Sequence, residues 1–375
     1  MKILTNIRFL QTGGIFRNLL SFINFLEKEK KNIKIVGVRV SSGKNEKCLK
    51  EKMGKTKIIS LGLNLPLIEK VMKKAQNLSD IKEEYREVID GHIKAIKKEK
   101  PDVILINGTY YVPWCLLLAG QSTGIPMVLH YHGVLTKETQ GCQEKQRLIF
   151  KEMERSFDRG DLFYIFPSKL TKEVVEKEVF AHKIAGCAVL PNPIPLHFFE
   201  SKVCNNKKNI GIVSRWSRVK NTEFYKKFAK YNQSQGNPFN INIVSNLKKN
   251  SEAKKELKDM VKFKKPMDNE KLADFYRKMG VVISPSHFET YGNVAKESVA
   301  SGTPALVSSK MGVAETFRKL GLNDWIIEFD SVKKVYKKVK NVIYQSVDND
   351  VREKMREMYS PQKIYSQMLE ILNSR

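Results

Sequence analysis

The chain has 375 residues, with 67 Lys and Arg against 40 Asp and Glu, for a formal net charge of +27. A hydrophobic fraction of 41% over this length supports two ordinary domains with their own cores and excludes a disordered chain. The longest apolar stretches, such as Val112 to Ala119, are too short to cross a bilayer.

Met1-Lys2-Ile3-Leu4-Thr5-Asn6 lacks the long apolar run and small-residue cleavage site of a signal peptide, so a cytoplasmic protein is expected. Short apolar runs at Lys2 to Asn6, Ile33 to Val40, Lys57 to Leu61, Val103 to Asn107, Met127 to His132 and Phe163 to Pro167 read as strands. Helical patterns such as Ile15 to Glu29 and Ile81 to Lys98 lie between several of them. That alternation predicts an α/β chain with a parallel, doubly wound sheet. After the first strand, Gln11-Thr12-Gly13-Gly14 opens a helix. Glycines there let the backbone approach a ligand, with the helix N-terminus facing a phosphate; taken alone the pattern is that of a tight turn. His132-Gly133 closes the fifth run, and His130 shares its side by two-residue alternation.

Pro191-Asn192-Pro193-Ile194-Pro195 and Lys202 to Lys208 mark a linker over 191–208 between an N-terminal domain, 1–190, and a second, 209–355. The second set of strands starts near Asn209 and continues at Ile241 to Ser245, Val281 to Ser284, Ala305 to Ser308 and Trp325 to Phe329. Ser331 to Tyr344 is amphipathic, with Val332, Val335, Val339 and Val342 on one face as core residues. Asp348-Asn349-Asp350 has the form of a metal-binding triplet, but no apolar strand leads into it and it reads as a polar turn. Five cysteines, Cys48, Cys115, Cys142, Cys187 and Cys204, are odd in number and scattered, which fits neither a disulfide framework nor a zinc site.

Two places in the second half carry chemistry. The run Asn209 to Ser214 ends in Arg215, with Lys220 following before an amphipathic stretch from Glu223, so both cations stand at the mouth of a strand-to-helix turn. Such a pair can grip a diphosphate and offset its charge as it leaves. The strand Val281 to Ser284 leads into His287-Phe288-Glu289-Thr290-Tyr291-Gly292-Asn293-Val294-Ala295-Lys296-Glu297, and Asn293 to Ser301 reads as a helix stopped by Gly302. Glu289 then lies in the loop and Glu297 one turn past Asn293, with the amides of Tyr291 to Val294 between them at a helix N-terminus that favours anionic oxygens. One carboxylate can accept from sugar hydroxyls and the other from ribose. On spacing alone, two unrelated glutamates on a solvated helix fit equally well.

Gly211 to Asn221 together with Ser284 to Ser308 resembles the C-terminal half of the retaining glycosyltransferases of family 4, which have the GT-B fold. Arg215 and Lys220 match the family's cation pair, and Glu289 and Glu297 its paired glutamates. Met279-Gly280 departs from the usual Ala-Asp and Pro266 from the usual Gly. The resemblance implies two Rossmann-like doubly wound domains facing across a cleft, the first on the acceptor side, with a closing helix in 356–375 crossing back to it. It implies a hexosyltransferase acting with retention, on a nucleotide-diphosphate sugar and a glycan or lipid-linked hydroxyl acceptor, in glycolipid or surface polysaccharide synthesis. Arg215 and Lys220 would neutralise the departing diphosphate, Glu297 hold the ribose and Glu289 position the sugar. The main chain of Tyr291, Gly292, Asn293 and Val294 would contact sugar or phosphate, Gly13 and Gly14 lie over the donor, and His132 face the donor sugar. No metal or other cofactor is expected. A sugar-nucleotide epimerase of the same fold and a non-enzymatic basic binding protein are the alternatives.

The excess of lysine, in runs such as Lys28 to Lys34, Lys44 to Lys57 and Lys248 to Lys265, fits an anionic membrane surface at the inner leaflet, or a genome-wide preference for lysine. No nucleic-acid partner is expected, because no recognisable binding module accompanies the charge.

Overall fold

The computed structural model describes residues 1–7, 14–40, 46–64, 68–200, 206–248 and 250–375. Gln11, Thr12 and Gly13 of the glycine pair's loop lie outside the described residues, as does Cys204. The chain divides into two compact units, Met1–Pro191 with Tyr365–Arg375, and Asn192–Ile364. The segment 192–200 and the helix Asn349–Tyr359 thus count with the second unit, and the part of the closing helix that counts with the first begins at Tyr365.

The first unit holds β1 (Lys2–Ile7), β2 (Lys34–Arg39), β3 (Lys57–Ser60), β4 (Val103–Asn107), β5 (Met127–His130), β6 (Leu162–Phe166) and β7 (Cys187–Val189). They form one sheet in the order β3-β2-β1-β4-β5-β6-β7, with every neighbouring pair parallel. The Val-Ile-Leu-Ile-Asn run of β4 is buried throughout, as expected of a central strand covered on both faces. The closing helix Pro361–Asn373 contributes Tyr365, whose ring lies 5.2 Å from that of Phe22 and 5.5 Å from that of Phe25. Its hydroxyl bonds the Asn18 carbonyl at 3.0 Å and Asn18 Oδ1 at 2.9 Å, so a tail residue is built into the first unit's core.

The second unit holds β8 (Asn209–Val213), β9 (Asn240–Val244), β10 (Val261–Lys264), β11 (Val281–Ser284), β12 (Ala305–Ser308) and β13 (Ile326–Ile327). Their order is β10-β9-β8-β11-β12-β13, again all parallel. In both sheets the order reverses once, between β1 and β4 and between β8 and β11. A doubly wound sheet binds ligands outside the carboxyl ends of its strands at that reversal.

Several elements differ from expectation. The strand Met127 to His132 stops at His130, leaving His132 in the following loop. The pattern from Ile81 to Lys98 is two helices, Leu78–Glu84 and Arg86–Glu99, meeting at the fully buried Tyr85. Trp325 belongs to a short 3-10 turn, and only Ile326–Ile327 pairs as a strand. In the helix Val332–Val342, Val335, Val339 and Val342 are buried and Val332 is half-buried. Asp348 sits at the N-cap position of the helix Asn349–Tyr359, so the acidic triplet opens a helix. Among the described residues no helix is long and apolar enough to cross a membrane.

In the second unit Lys296 is buried outright, 0% exposed on the helix Asn293–Ala300, where an amine is costly to hold. Its ammonium donates to the carbonyls of Asn192 and, at 2.9 Å, Pro193, and lies 4.5 Å from the centre of the Tyr291 ring. Burial pushes its pKa from 10.5 down to about 7, against the opposing pull of the Glu297 carboxylate. The unfolded chain therefore binds more protons than the folded one between pH 7 and 10.5, and stability contributed through Lys296 must rise with pH across that window. Wild type is expected to gain on Lys296→Met by about 1.4 kcal/mol per pH unit above pH 7, read from denaturant melts at a series of pH values. A difference between the two proteins that stays flat with pH would contradict the assignment.

Candidate active site

The loops that follow β8 and β11 meet at the reversal point of the second unit's sheet. The His287 amide donates to the Val219 carbonyl at 2.9 Å, and Asn221 Nδ2 donates to the Pro285 carbonyl at 3.1 Å. Asn221 has φ 55°, the left-handed conformation that Asn tolerates, and it turns the chain from Arg218–Lys220 into the helix Thr222–Ser234. Lys220 is thereby aimed across at the second loop, where Nζ lies 2.9 Å from Glu289 Oε1, with both side chains 17% exposed. Ser286 Oγ donates to the same oxygen at 2.6 Å. Glu289 Oε2 takes no hydrogen bond among the described residues. Arg215 stands exposed, and its guanidinium has no partner among the described residues. The neighbouring Trp216 amide donates to Asn246 Oδ1 at 3.1 Å, tying this loop to the one after β9.

A third loop, after β12, braces the second. The Glu289 amide donates to the Lys310 carbonyl at 3.3 Å, the Gly312 amide to the Glu289 carbonyl at 3.0 Å, and the Val313 amide to the Tyr291 carbonyl at 2.5 Å. Tyr291 is buried, with its hydroxyl 2.9 Å from Thr316 Oγ1, so its side chain belongs to the core and only its main chain shapes the loop. Gly292 caps the helix Asn293–Ala300 at φ 111°. A Cβ there would lie 2.8 Å from Met311 Cε and 2.9 Å from Val313 Cγ1, so both conformation and space require glycine. The amides of Asn293 and Val294, in the first turn, have no earlier helical carbonyl to bond and point their partial positive charge out of the helix. One turn on, Glu297 is 6% exposed, and Tyr276 donates its hydroxyl to Oε2 at 3.3 Å. Arg215, Lys220, Glu289, the amides of Asn293 and Val294, and Glu297 thus belong to one unit, as cations, anion-favouring amides and carboxylates around its switch point.

The other predicted site residues lie in the first unit. Gly14 is the exposed first residue of the helix Gly14–Lys28, with no heavy atom within 4 Å of where a Cβ would be. Past the end of β5, His132 Nε2 lies 3.3 Å from Asn107 Oδ1, and its ring centre is 4.0 Å from that of His130. Asn107 in turn donates from its amide to Asn6 Oδ1 at 2.9 Å and from Nδ2 to Thr5 Oγ1 at 2.7 Å. Burial pushes His130 down to about 4, and burial with the His130 neighbour holds His132 well below its ordinary value, so both rings are neutral at pH 7.

Two fully buried acidic or basic side chains, Glu154 and Lys296, had no place in the sequence reading. Glu154 is 0% exposed and accepts from the amides of Leu135 and Thr136, both at 2.8 Å, and from Thr136 Oγ1 at 2.8 Å, clasping the segment that follows His132. Lys296 is the other. It sits in Val-Ala-Lys-Glu-Ser-Val-Ala, where small and apolar neighbours on a central helix are the one signal that the lysine goes inward. Among the described residues no three His, Cys, Asp or Glu side chains group closely enough to hold a metal ion, and Asp348 and Asp350 join no such group.

Residues 194–360 match the family model described as glycosyl transferases group 1, and residues 85–198 match that described as glycosyltransferase family 4. A D-inositol 3-phosphate glycosyltransferase of Streptomyces scabiei is 42% identical over 60 residues, which are 16% of this chain and 14% of that one. The chain thus matches only a small part of the length of that curated relative. Among solved structures, sucrose-phosphate synthase from Thermosynechococcus elongatus aligns over 100% of this chain and 98% of its own, with a TM-score of 0.77 at 15% identity. Anabaena HepE, solved with UDP and glucose, aligns over 100% of both chains, with a TM-score of 0.72 at 14% identity. These structures share the two-domain GT-B fold. With glycosyltransferase models matching residues 85 to 360 between them, and the group 1 model matching residues 194–360, the protein belongs to the glycosyltransferases.

Proposed function

We propose that the protein is a hexosyltransferase that moves a sugar from a nucleotide-diphosphate donor to a hydroxyl acceptor, with retention of configuration at the anomeric carbon. The observation that carries this reading is the Lys220–Glu289 pair, with Arg215 on the same loop after β8, at the point where the second sheet reverses. When the bond between the sugar and the diphosphate breaks, negative charge develops on the phosphate oxygens. Arg215 offers a planar fork of donors to them. Lys220 has three donors and spends one on Glu289, so it can serve the phosphate without leaving its partner. Glu289 Oε2 accepts from a hydroxyl of the donor sugar, and Glu297 from the ribose. The amides of Asn293 and Val294, with the main chain of Tyr291 and Gly292, face the diphosphate or the sugar. HepE, whose structure contains UDP and glucose, supports a nucleotide-sugar donor for this fold.

The acceptor is assigned to the first unit, whose switch point carries the neutral Asn107, His130 and His132 set. The roles given to Gly13, Gly14 and His132 on the donor rest on the family resemblance. Arg215 and Lys220 supply the charge that a divalent ion supplies elsewhere, so transfer is expected to proceed without metal. A cytoplasmic enzyme held reversibly at an anionic membrane surface, acting on a glycan or lipid-linked acceptor, fits the +27 charge.

Arg215→Ala and Lys220→Ala should each lower kcat by about 2.7–4 kcal/mol of transition-state stabilisation while leaving the melting temperature near that of wild type, and EDTA should leave transfer intact. Kinetics near wild type in both variants would remove the site assignment. Turnover of the donor without any acceptor would favour an epimerase, and strict dependence on manganese or magnesium would contradict the metal-free reading. NMR of the first-formed product reports the anomeric configuration.

The membrane assignment has its own check. Co-sedimentation with anionic vesicles should be strong at 0.1 M salt or below and fade toward 1 M, as the screening length falls from about 10 Å to about 3 Å. Failure to bind anionic vesicles at low salt would leave a general lysine preference as the account of the charge.

A further inference from the structure

We infer that Lys296 is a positioning residue of the donor site: its buried side chain fastens the opening of the helix Asn293–Ala300 to the main chain of Asn192 and Pro193, and so sets where Glu297 and the first-turn amides stand. The inference rests on the donor-site reading above and adds a residue to it.

Four observations converge on the segment 192–199, through which the chain leads into the second unit. Lys296 Nζ donates to the carbonyls of Asn192 and Pro193, the latter at 2.9 Å. Asn192 Nδ2 donates to Oδ1 of Asn293, the first residue of the helix, at 3.2 Å. Asn293 and Lys296 are three positions apart, so both bonds leave one face of the helix. At the other end, Arg352 donates from Nε to the Ala300 carbonyl and from Nη2 to the Phe199 carbonyl, both at 3.0 Å. The segment itself is held from behind by the Ile194 amide, which donates to the Tyr359 carbonyl at 2.7 Å. Each end of the site helix is therefore fixed by a basic side chain to the same stretch of main chain.

A plain core role predicts something different. A methionine of similar volume would fill the space under Tyr291 without the cost of burying an amine. It could not bond two carbonyls. The ammonium and the neutral amine both can, so the tether survives the titration of the group. Glu297 follows Lys296 directly, and a shift of the helix by a fraction of its rise would move the carboxylate away from the ribose that it is to hold.

The test compares wild type, Lys296→Met and Asn192→Ala, the last being the milder change if the first does not fold. Hydrogen–deuterium exchange of peptides covering 290–303 should quicken in both variants, more in Lys296→Met, and calorimetric titration with UDP and GDP should show affinity on the order of tenfold weaker in Lys296→Met, whatever happens to Tm. A changed Tm with wild-type exchange across 290–303 and wild-type nucleotide affinity would overturn the inference and leave Lys296 a core residue. Wild-type protein that binds neither nucleotide would sink the donor-site reading instead, and the exchange comparison would then decide the tether by itself.

Discussion

One constraint organises the second unit: β8 and β11, far apart in sequence, are neighbours in the sheet, and their loops must therefore share one small volume. Lys220 and Glu289 are the charges placed in it, at 2.9 Å and only 17% exposed. A pair so sheltered is screened less than one on the surface, and its partners hold defined positions. The geometry of the candidate site thus follows from strand order and is not an accident of flexible surface side chains.

Around that pair the site is built mostly from main chain. Gly292, at φ 111° against Met311 and Val313, starts the helix Asn293–Ala300 where no other residue fits. Tyr291 turns its side chain into the core, and the loop after β12 bonds the backbone of Glu289 and of Tyr291 itself. Helix amides aimed by packed backbone undergo little reorganisation when charge develops beside them, the condition under which electrostatic stabilisation is largest. The first unit shows a different chemistry at its own reversal point. There Asn107 is hydrogen-bonded to Asn6 and to His132, His130 lies against the His132 ring, and all four groups are neutral.

The central strands were legible because they are covered on both faces and read as unbroken apolar runs, as in Val103 to Asn107 and Val281 to Ser284. The edges were not. β10, Val-Lys-Phe-Lys, alternates apolar and charged residues and disappears into the lysine run from Lys248 to Lys265. β7 is a Cys-Ala-Val tripeptide with no turn signal strong enough to mark it. Tyr85 splits a helical pattern that its apolar spacing presents as continuous. At the site, the carboxylates and cations could be read from their place after two apolar runs, but their pairing could not, since it depends on the strand order. Lys296 and Glu154 were illegible for a physical reason: charged side chains are overwhelmingly exposed, and only the packing around these two shows that carbonyls and amides wait for them inside.

The central claim is that the β8–β11 reversal point holds a sugar nucleotide, with ribose on Glu297 and sugar on Glu289. Its most direct test is calorimetric titration of Glu297→Gln and Glu289→Gln with the donor sugar nucleotide and with the bare nucleoside diphosphate. The account predicts that Glu297→Gln weakens both ligands, because both carry the ribose, whereas Glu289→Gln spares the bare nucleotide and weakens only the sugar nucleotide. Equal losses of both ligands in both variants would contradict these roles, and unaltered binding in both would contradict the site.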